Sequence, residues 1–165
     1  FIERFVADDR AFLRAHNPNV DRTGFEAAWA ARAQSSEAQG IATYAPHYGG
    51  SPLVIGASEE APSAVGTHDF AARPGHHLSP QPLEDGSTLD CLGVGFSVLV
   101  ADLDTAPLRA AADARRIPLE VIEVPKDIAV AHGQNAVLVR PDGYVAWVGS
   151  SLDDAQTILD RATGR

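Results

Sequence analysis

Methionine is absent from this sequence, and cysteine occurs once, at Cys91. A single thiol can form neither an intrachain disulfide nor a C-x-x-C redox pair, and it cannot build a zinc knuckle. The scarcity of cysteine fits a reducing compartment, so we predict a cytoplasmic location. Because the chain starts at Phe1 and has no methionine anywhere, we expect a mature fragment or a piece of a longer protein.

Positive charge is also scarce. Only 13 lysines and arginines face 22 aspartates and glutamates, which leaves a net charge of −9. Such a surface repels phosphate backbones, so we expect no nucleic-acid partner. No apolar run approaches the roughly 20 residues that span a bilayer and no signal peptide is recognisable, so we expect no membrane partner. The acidic residues are spread along the chain, which favours a solubility role over a cation site.

Motifs for catalysis, metal binding and nucleotide binding are missing or incomplete. His76 and His77 are adjacent, with His68 and Asp69 nearby, but they lack the i, i+4 spacing of metal ligands, so we expect loop histidines bonded to backbone. The glycines of Gly93–Gly95 precede a strand and lack the third glycine of a dinucleotide loop, which favours a backbone bend. No G-x-S-x-G elbow supports a serine triad. We therefore predict no catalytic, cofactor-binding or metal-binding residue in this chain.

The first sixty residues read as helical and then irregular. The apolar spacing of "FIERFVADDRAFLRAHNP" predicts a helix that stops before Pro18. A capping-box spacing predicts a second helix that opens at Thr23, with Glu26 three residues later, and fades near Ser36. A short strand is expected at Leu53–Ile55.

The segment 57–90 is rich in proline, glycine, serine and histidine, which predicts loop structure. A structureless stretch of this length is unusual inside a compact domain, so either short strands are hidden in it or it crosses a neighbouring surface. Just before it, Tyr44, His47 and Tyr48 form an aromatic and polar cluster. Two roles stay open for this cluster, a partner surface or pocket and, preferably, packing of a helix end.

The pattern sharpens after Gly93. The run "GFSVLVAD" predicts a strand buried on both faces, and "IPLEVIEVP" predicts a second strand with apolar residues on both faces. A helix between them, capped by Asp104 or Thr105, makes these strands a parallel pair with a right-handed crossover. A hairpin over Ala136–Gly149 follows, with its turn at Pro141, Asp142 and Gly143.

A final helix capped by Ser151 closes the pattern. The order β-α-β-β-β-α predicts an α/β fold, a thioredoxin-like mixed sheet with flanking helices, preceded by the helical and irregular N-terminal segment. The turn "ADLDTAP", where a redox C-x-x-C would lie, contains no cysteine. Cys91 lies before the first strand, and we expect it to be a small buried apolar residue.

Two segments carry a resemblance to a known family. They are "RPGHHLSPQPLEDGSTLDCLGVGFSVLVAD", Arg73 to Asp102, and "NAVLVRPDGYVAWVG", Asn135 to Gly149. They contain the D-x-x-G-x-G-F turns and the R-P-D-G hairpin. Through these motifs, residues 70–165 resemble the C-terminal region of the FAD-dependent aromatic hydroxylases, the phenol hydroxylase-like flavin monooxygenases. The first sixty residues are similar, more weakly, to the helices that leave the flavin and substrate domains of that family.

The resemblance implies a domain division and a function. Residues 1–60 would be a helical tail from or towards a catalytic domain, and 61–165 a thioredoxin-like domain without redox cysteines. Family members use FAD and NAD(P)H to insert one oxygen atom of O2 into a phenolic ring. Their FAD ligands lie in a G-x-G-x-x-G unit and a G-D motif, and neither is present here. The resemblance therefore implies FAD and NAD(P)H for the parent protein and no cofactor in this chain.

The role expected of this piece is packing on the flavin and substrate domains, or subunit association as a homodimer. The hairpin would complete the sheet and present its edge, or Tyr144 and Trp147, to that neighbour. An alternative is a stand-alone thioredoxin-like binding or dimerisation protein with no flavin. A third reading, ranked lowest, is a thiol enzyme that uses Cys91.

Overall fold

The structure, a computed structural model, describes residues 2–39, 42–56, 63–67 and 69–165. By its internal contacts the chain divides into two compact units, Phe1–Ala45 with Ala64–His68, and Pro46–Ser63 with Asp69–Arg165. The segment after residue 45 joins the second unit through backbone hydrogen bonds from Tyr48 to Gly75 and from Ile55 to Ala146. The expected domain boundary at residue 60 stays a prediction about the whole protein.

The first unit is a pair of helices, α1 (Ile2–Ala15) and α2 (Arg22–Gln39). As predicted, α1 ends before Pro18, whereas α2 continues past Ser36. The predicted cap at Thr23 is wrong, because the Asp21 carboxylate accepts a hydrogen bond from the Gly24 backbone N–H at 2.9 Å. Two strands, β1 (Ala42–His47) and β2 (Ser63–Thr67), form a separate two-stranded sheet.

Aromatic rings line the seam between α1 and α2. Phe12 makes edge contacts with Phe25 and Trp29 at centroid distances of 6.0 and 5.7 Å. The Arg32 guanidinium lies 4.8 Å from the centre of the Phe12 ring, and Arg32 forms an ion pair with Asp9 at 2.7 Å. Trp29 remains about half exposed (52%), so the two helices bury only part of their apolar surface.

The second unit is built around a four-stranded sheet. Its strands are β5 (Phe96–Val100), β6 (Leu119–Glu123), β7 (Ala136–Val139) and β8 (Val145–Gly149), in the order β6-β5-β7-β8. β5 is parallel to β6 and antiparallel to β7, and β7 is antiparallel to β8. The α/β class, the parallel pair and the antiparallel hairpin are therefore confirmed.

Helices and loop segments cover both faces of this sheet. The helices are α3 (Ala106–Arg115), α4 (Lys126–His132) and α5 (Ala155–Ala162), and a short hairpin pairs β3 (Pro82–Leu83) with β4 (Gly86–Ser87). Val98 and Val100 of β5 belong to an apolar cluster with α3 and α5. Leu99, between them, belongs to a second cluster with α4 and Leu78. Burial on both faces of β5 is thus confirmed.

Several local expectations are corrected. α4 was not predicted, although Pro125 precedes it, Asp127 lies in its first turn and Gly133 ends it in a left-handed conformation. β2, β3 and β4 are the short strands hidden between residues 57 and 90. The strand expected at Leu53–Ile55 is instead a turn, in which Val54 donates to the Ser51 carbonyl.

Ser151 and Cys91 also differ from expectation. The Ser151 hydroxyl accepts from the Asp153 backbone N–H at 3.1 Å and so shapes the turn before α5, whose N-cap position is Asp154. Cys91 is exposed rather than buried. It belongs to a turn that directs Leu89 and Leu92 towards the second apolar cluster and leaves the two residues between them, Asp90 and Cys91, facing solvent.

Candidate interaction surface at the hairpin turn

The turn between β7 and β8 is held by its own backbone and by Asp142. Gly143 donates to the Arg140 carbonyl at 2.9 Å, and Arg140 donates to the Tyr144 carbonyl at 2.8 Å. The Asp142 carboxylate accepts from the Tyr144 backbone N–H at 3.3 Å and pairs with the Arg140 guanidinium at 2.8 Å. Gly143 has φ +81°, which an L side chain rarely adopts. The turn predicted from Pro141, Asp142 and Gly143 is therefore confirmed.

Aromatic side chains from three segments meet at this turn. The Tyr144 ring lies 4.8 Å from the Tyr48 ring and 5.4 Å from the His77 ring, which it meets edge-on. Tyr48 is 44% exposed and Tyr144 is half-buried. We call Tyr48, His77 and Tyr144 the hairpin aromatic cluster. Partly exposed tyrosines on a rigid support are typical anchors of protein interfaces.

A histidine pair lies next to this cluster. The rings of His47 and His76 are stacked at 4.9 Å, and the two residues form an isolated antiparallel bridge. His47 is buried, and its Nδ1 accepts from the Gly49 backbone N–H at 3.3 Å. The expected helix-end role of His47 and Tyr48 is wrong, because both pack against loop and hairpin residues. The side chain of Tyr44 lies outside the described residues.

One of the loop histidines, His77, bonds to backbone as predicted. His77 Nδ1 lies 3.1 Å from the Leu78 carbonyl oxygen, which can only accept, so Nδ1 carries the proton and the bond to backbone is confirmed. Among the residues that the structure describes, no three histidine, cysteine, aspartate or glutamate side chains are grouped closely enough to hold a metal ion. His68 falls outside the described residues.

Tyr144 and Trp147, the two predicted interface residues, have different surroundings. Tyr144 is part of the hairpin aromatic cluster, whereas Trp147 is half-buried and packs against the apolar cluster of α3 and α5. The Trp147 ring also covers Gly149, where an added Cβ would lie 2.3 Å from Cζ2. Their role at an interface stays a prediction, and the geometry favours Tyr144 as the more available of the two.

The outer edge of β8 is closed within the chain. Gly75 donates to the Val145 carbonyl at 2.8 Å, and Val145 donates to the His76 carbonyl at 2.9 Å. Ile55 donates to the Ala146 carbonyl, also at 2.9 Å. The expectation that the hairpin presents this edge to a neighbour is therefore wrong for the first half of β8, because residues 75 and 76 and Ile55 already occupy its hydrogen-bonding groups.

The bend of Gly93–Gly95 is confirmed as a packing feature. A Cβ on Gly95 would lie 2.5 Å from the Pro118 carbonyl oxygen, which accepts a hydrogen bond from the Phe96 backbone N–H. Only glycine allows the chain to pass this close to the start of β6. Within the described residues, no helix combines the length and the apolar character needed to cross a bilayer.

Comparison with known proteins places this unit among parts of larger enzymes. The family described as aromatic-ring hydroxylase, C-terminal, matches residues 71–165. A curated relative, the FAD-dependent monooxygenase apdD of Emericella nidulans, is 36% identical in an alignment of 104 residues that covers 55% of this chain and 16% of the relative.

Solved structures agree with this assignment. The RebC-10x structure, native and K252c-bound, is 32% identical over 69% of this chain and 23% of its own, with a TM-score of 0.58. The rebeccamycin biosynthetic enzyme RebC without substrate is 25% identical over 93% of this chain and 30% of its own, with a TM-score of 0.60. Aklavinone-11 hydroxylase with FAD and aklavinone is 25% identical over 70% of this chain and 26% of its own, with a TM-score of 0.57. This chain spans less than a third of each of these proteins.

Proposed function

Because this chain belongs to the aromatic-ring hydroxylase C-terminal family, we propose that it is the C-terminal portion of an FAD-dependent aromatic-ring hydroxylase. The resemblance predicted from the sequence is thereby confirmed at the level of the family. The single observation that carries the proposal is the family match over 71–165. A monooxygenase relative, of which this chain covers 16%, agrees with it. The parent enzyme would insert one oxygen atom of O2 into a phenolic substrate and reduce the other to water with NAD(P)H.

Within that enzyme, this portion serves packing or subunit association rather than chemistry. The strand order β6-β5-β7-β8, with apolar clusters on both faces of the sheet, supports the thioredoxin-like core that we predict for the second unit. FAD and NAD(P)H would be bound by the parent's other domains, and the protein would work in the cytoplasm as a monomer or homodimer. The hairpin aromatic cluster is the surface that we assign to contact with the flavin and substrate domains.

Two measurements test the proposal. Titration of FAD with the purified 165-residue chain, followed by flavin absorption and fluorescence, is expected to show no change. The complete reading frame is expected to encode a G-x-G-x-x-G unit upstream, and its product to be yellow and to oxidise NAD(P)H with a phenol. A reading frame without that unit would favour the stand-alone binding protein, and a flavin bound by this chain alone would overturn the non-catalytic assignment.

The contact surface is tested in the complete enzyme. Tyr144→Ala and Tyr48→Ala are expected to loosen the C-terminal portion, which would appear as faster proteolytic release of this portion with the flavin still bound. Val94→Ala, at a fully exposed valine outside the cluster, is the matched control. Equal release from all three variants and wild type would contradict an interface role for the tyrosines.

A further inference from the structure

The two edges of the four-stranded sheet are protected in different ways. On β8, residues 75 and 76 and Ile55 occupy the outer hydrogen-bonding groups of Val145 and Ala146. On β6, no backbone bond from another segment reaches the outer side among the residues that the structure describes. An open strand edge can pair with another chain, so β6 needs a protection of its own.

The hydrogen bonds to β5 determine which groups of β6 point outward. The Pro118 carbonyl accepts from Phe96, and Val124 donates to the Val100 carbonyl. Since the inward bonds of a parallel ladder recur at every second residue, the backbone groups of Leu119, Val121 and Glu123 point away from β5. These three residues form a short row of donors and acceptors that is self-complementary in an antiparallel arrangement.

The side chains of β6 are apolar at the centre and acidic at two positions. Leu119, Val121 and Ile122 are half-buried, whereas Glu120 and Glu123 are exposed. If Val121 faced the same residue of a second copy, the two Glu120 side chains would be diagonal neighbours about 7–8 Å apart. Glu123 would face the apolar Leu119 of that copy. Both placements are unfavourable. The two Glu120 carboxylates would repel each other, and the Glu123 carboxylate would lose water against an apolar side chain.

We propose that β6 is the sheet edge able to accept a partner strand, that its complementary partner is β6 of a second copy of this chain, and that Glu120 and Glu123 hold the two copies apart. This role is independent of the proposed hydroxylase function, since it rests on strand order and charge alone. Charged side chains on short edge strands are a recognised protection against edge-to-edge association.

Charge reversal tests the proposal without disturbing the core. The E120K/E123K variant should be as monomeric as the wild-type chain, because position 120 of one copy would still lie near a like charge at position 120 of the other. An equimolar mixture of the two should form a heterodimer, with an association constant at least about tenfold above that of either protein alone. Sedimentation velocity at low salt measures this, and added salt should weaken the heterodimer because it screens exposed charges.

Two further variants make the result decisive. The neutral variant E120T/E123T should self-associate about tenfold more tightly than wild type. Adding Val121→Pro to it removes an outward N–H and should abolish this self-association. The matched control carries two lysines elsewhere, at the exposed positions Glu84 and Asp113. A monomeric mixture, or equal association of the control with wild type, would overturn the proposal.

Discussion

The guanidinium of Arg115, on α3, donates two hydrogen bonds to the carboxylate of Asp160, on α5, one of them 2.9 Å long between Nη2 and Oδ2. A third nitrogen of Arg115 donates to the Ala111 carbonyl at 3.2 Å, which fixes the guanidinium against its own helix. The hydrogen bonds from Arg115 lower the pKa of Asp160, with a smaller contribution from the charge of Arg165. The same hydrogen bond raises the pKa of Arg115. This two-point contact joins the two helices that cover one face of the sheet.

Asp160→Asn is expected to lower the melting temperature at neutral pH, because it removes the charge that Arg115 pairs with. The folded pKa of Asp160 is below its ordinary value of 3.8, so its stabilisation is present above that value and is lost as the pH falls through the folded pKa. The difference in melting temperature between wild type and Asp160→Asn should therefore shrink as the pH falls through the folded pKa of Asp160. Thermal melts followed by circular dichroism at a series of pH values measure it.

Asp153→Asn is the control for this change, since Asp153 is an exposed carboxylate on the turn before α5. It should leave the melting temperature close to that of wild type at neutral pH. Equal effects of the two substitutions would show that the contact between Arg115 and Asp160 adds nothing specific.

Leu138→Ala is expected to destabilise the second unit by about 2–5 kcal/mol. Leu138 lies on β7, is fully buried, and packs in the cluster shared with α3 and α5. Its truncation leaves a cavity that neighbouring side chains fill only in part. Urea denaturation provides the free energy of unfolding, and Val130→Ala, at a valine that is 80% exposed, should change it by less than about 0.5 kcal/mol.

Gly143→Ala should lower the free energy of unfolding by about 1–3 kcal/mol, for two reasons. The residue has φ +81°, and an added Cβ would lie 2.5 Å from His77 Nε2. Gly133→Ala separates these effects, because Gly133 has φ +75° and nothing within 4 Å of an added Cβ. It should cost only about 1–2 kcal/mol. If Gly133→Ala costs as much as Gly143→Ala, the contact with His77 is not a constraint.

The burial of His132 predicts that the protein loses stability in mild acid. Burial lowers its pKa from the ordinary value of 6.5, and the backbone of Phe70 opposes this in part. Below 6.5 the unfolded chain binds a proton that the folded chain resists, so stability falls as the pH decreases through this range. Urea midpoints between pH 7.5 and 5 should fall more in wild type than in His132→Leu. His16→Leu, at an exposed histidine, controls for loss of a histidine as such.

Local patterns were sufficient for the elements of the second unit whose apolar residues are continuous or regularly spaced. The run over Val98 and Val100 predicted a strand buried on both faces, and Gly143 after Asp142 predicted the hairpin turn, because both depend on neighbouring residues only. Helix α4 was missed because its seven residues are too few to show a clear apolar period. Its start was marked by Pro125 and its end by Gly133, and these two signals could have revealed it.

The hairpin aromatic cluster could be predicted only in part. The sequence marks Tyr48 as part of an aromatic and polar loop cluster and Tyr144 as a hairpin residue suited to an interface, yet nothing in it relates two residues almost a hundred positions apart. Cys91 shows the same limit, since its burial was inferred from residue type and its exposure comes from the turn around it. Which side chains meet, and which face solvent, depends on how the segments before β5 cross the sheet.

By itself, the sequence determined the α/β class, the parallel pair and hairpin of the sheet, and the relation to the aromatic-ring hydroxylases. The class, the pair and the hairpin follow from hydrophobic spacing and turn residues, which act over a few positions along the chain, whereas the relation to the family rests on the resemblance of residues 71–165 to its members. Only the tertiary structure decided that β8 is closed by residues 75 and 76 and Ile55, and that β6 is left with Glu120 and Glu123 as its protection. Backbone groups far apart in sequence must find partners when they leave water, and the folded arrangement alone fixes which ones do.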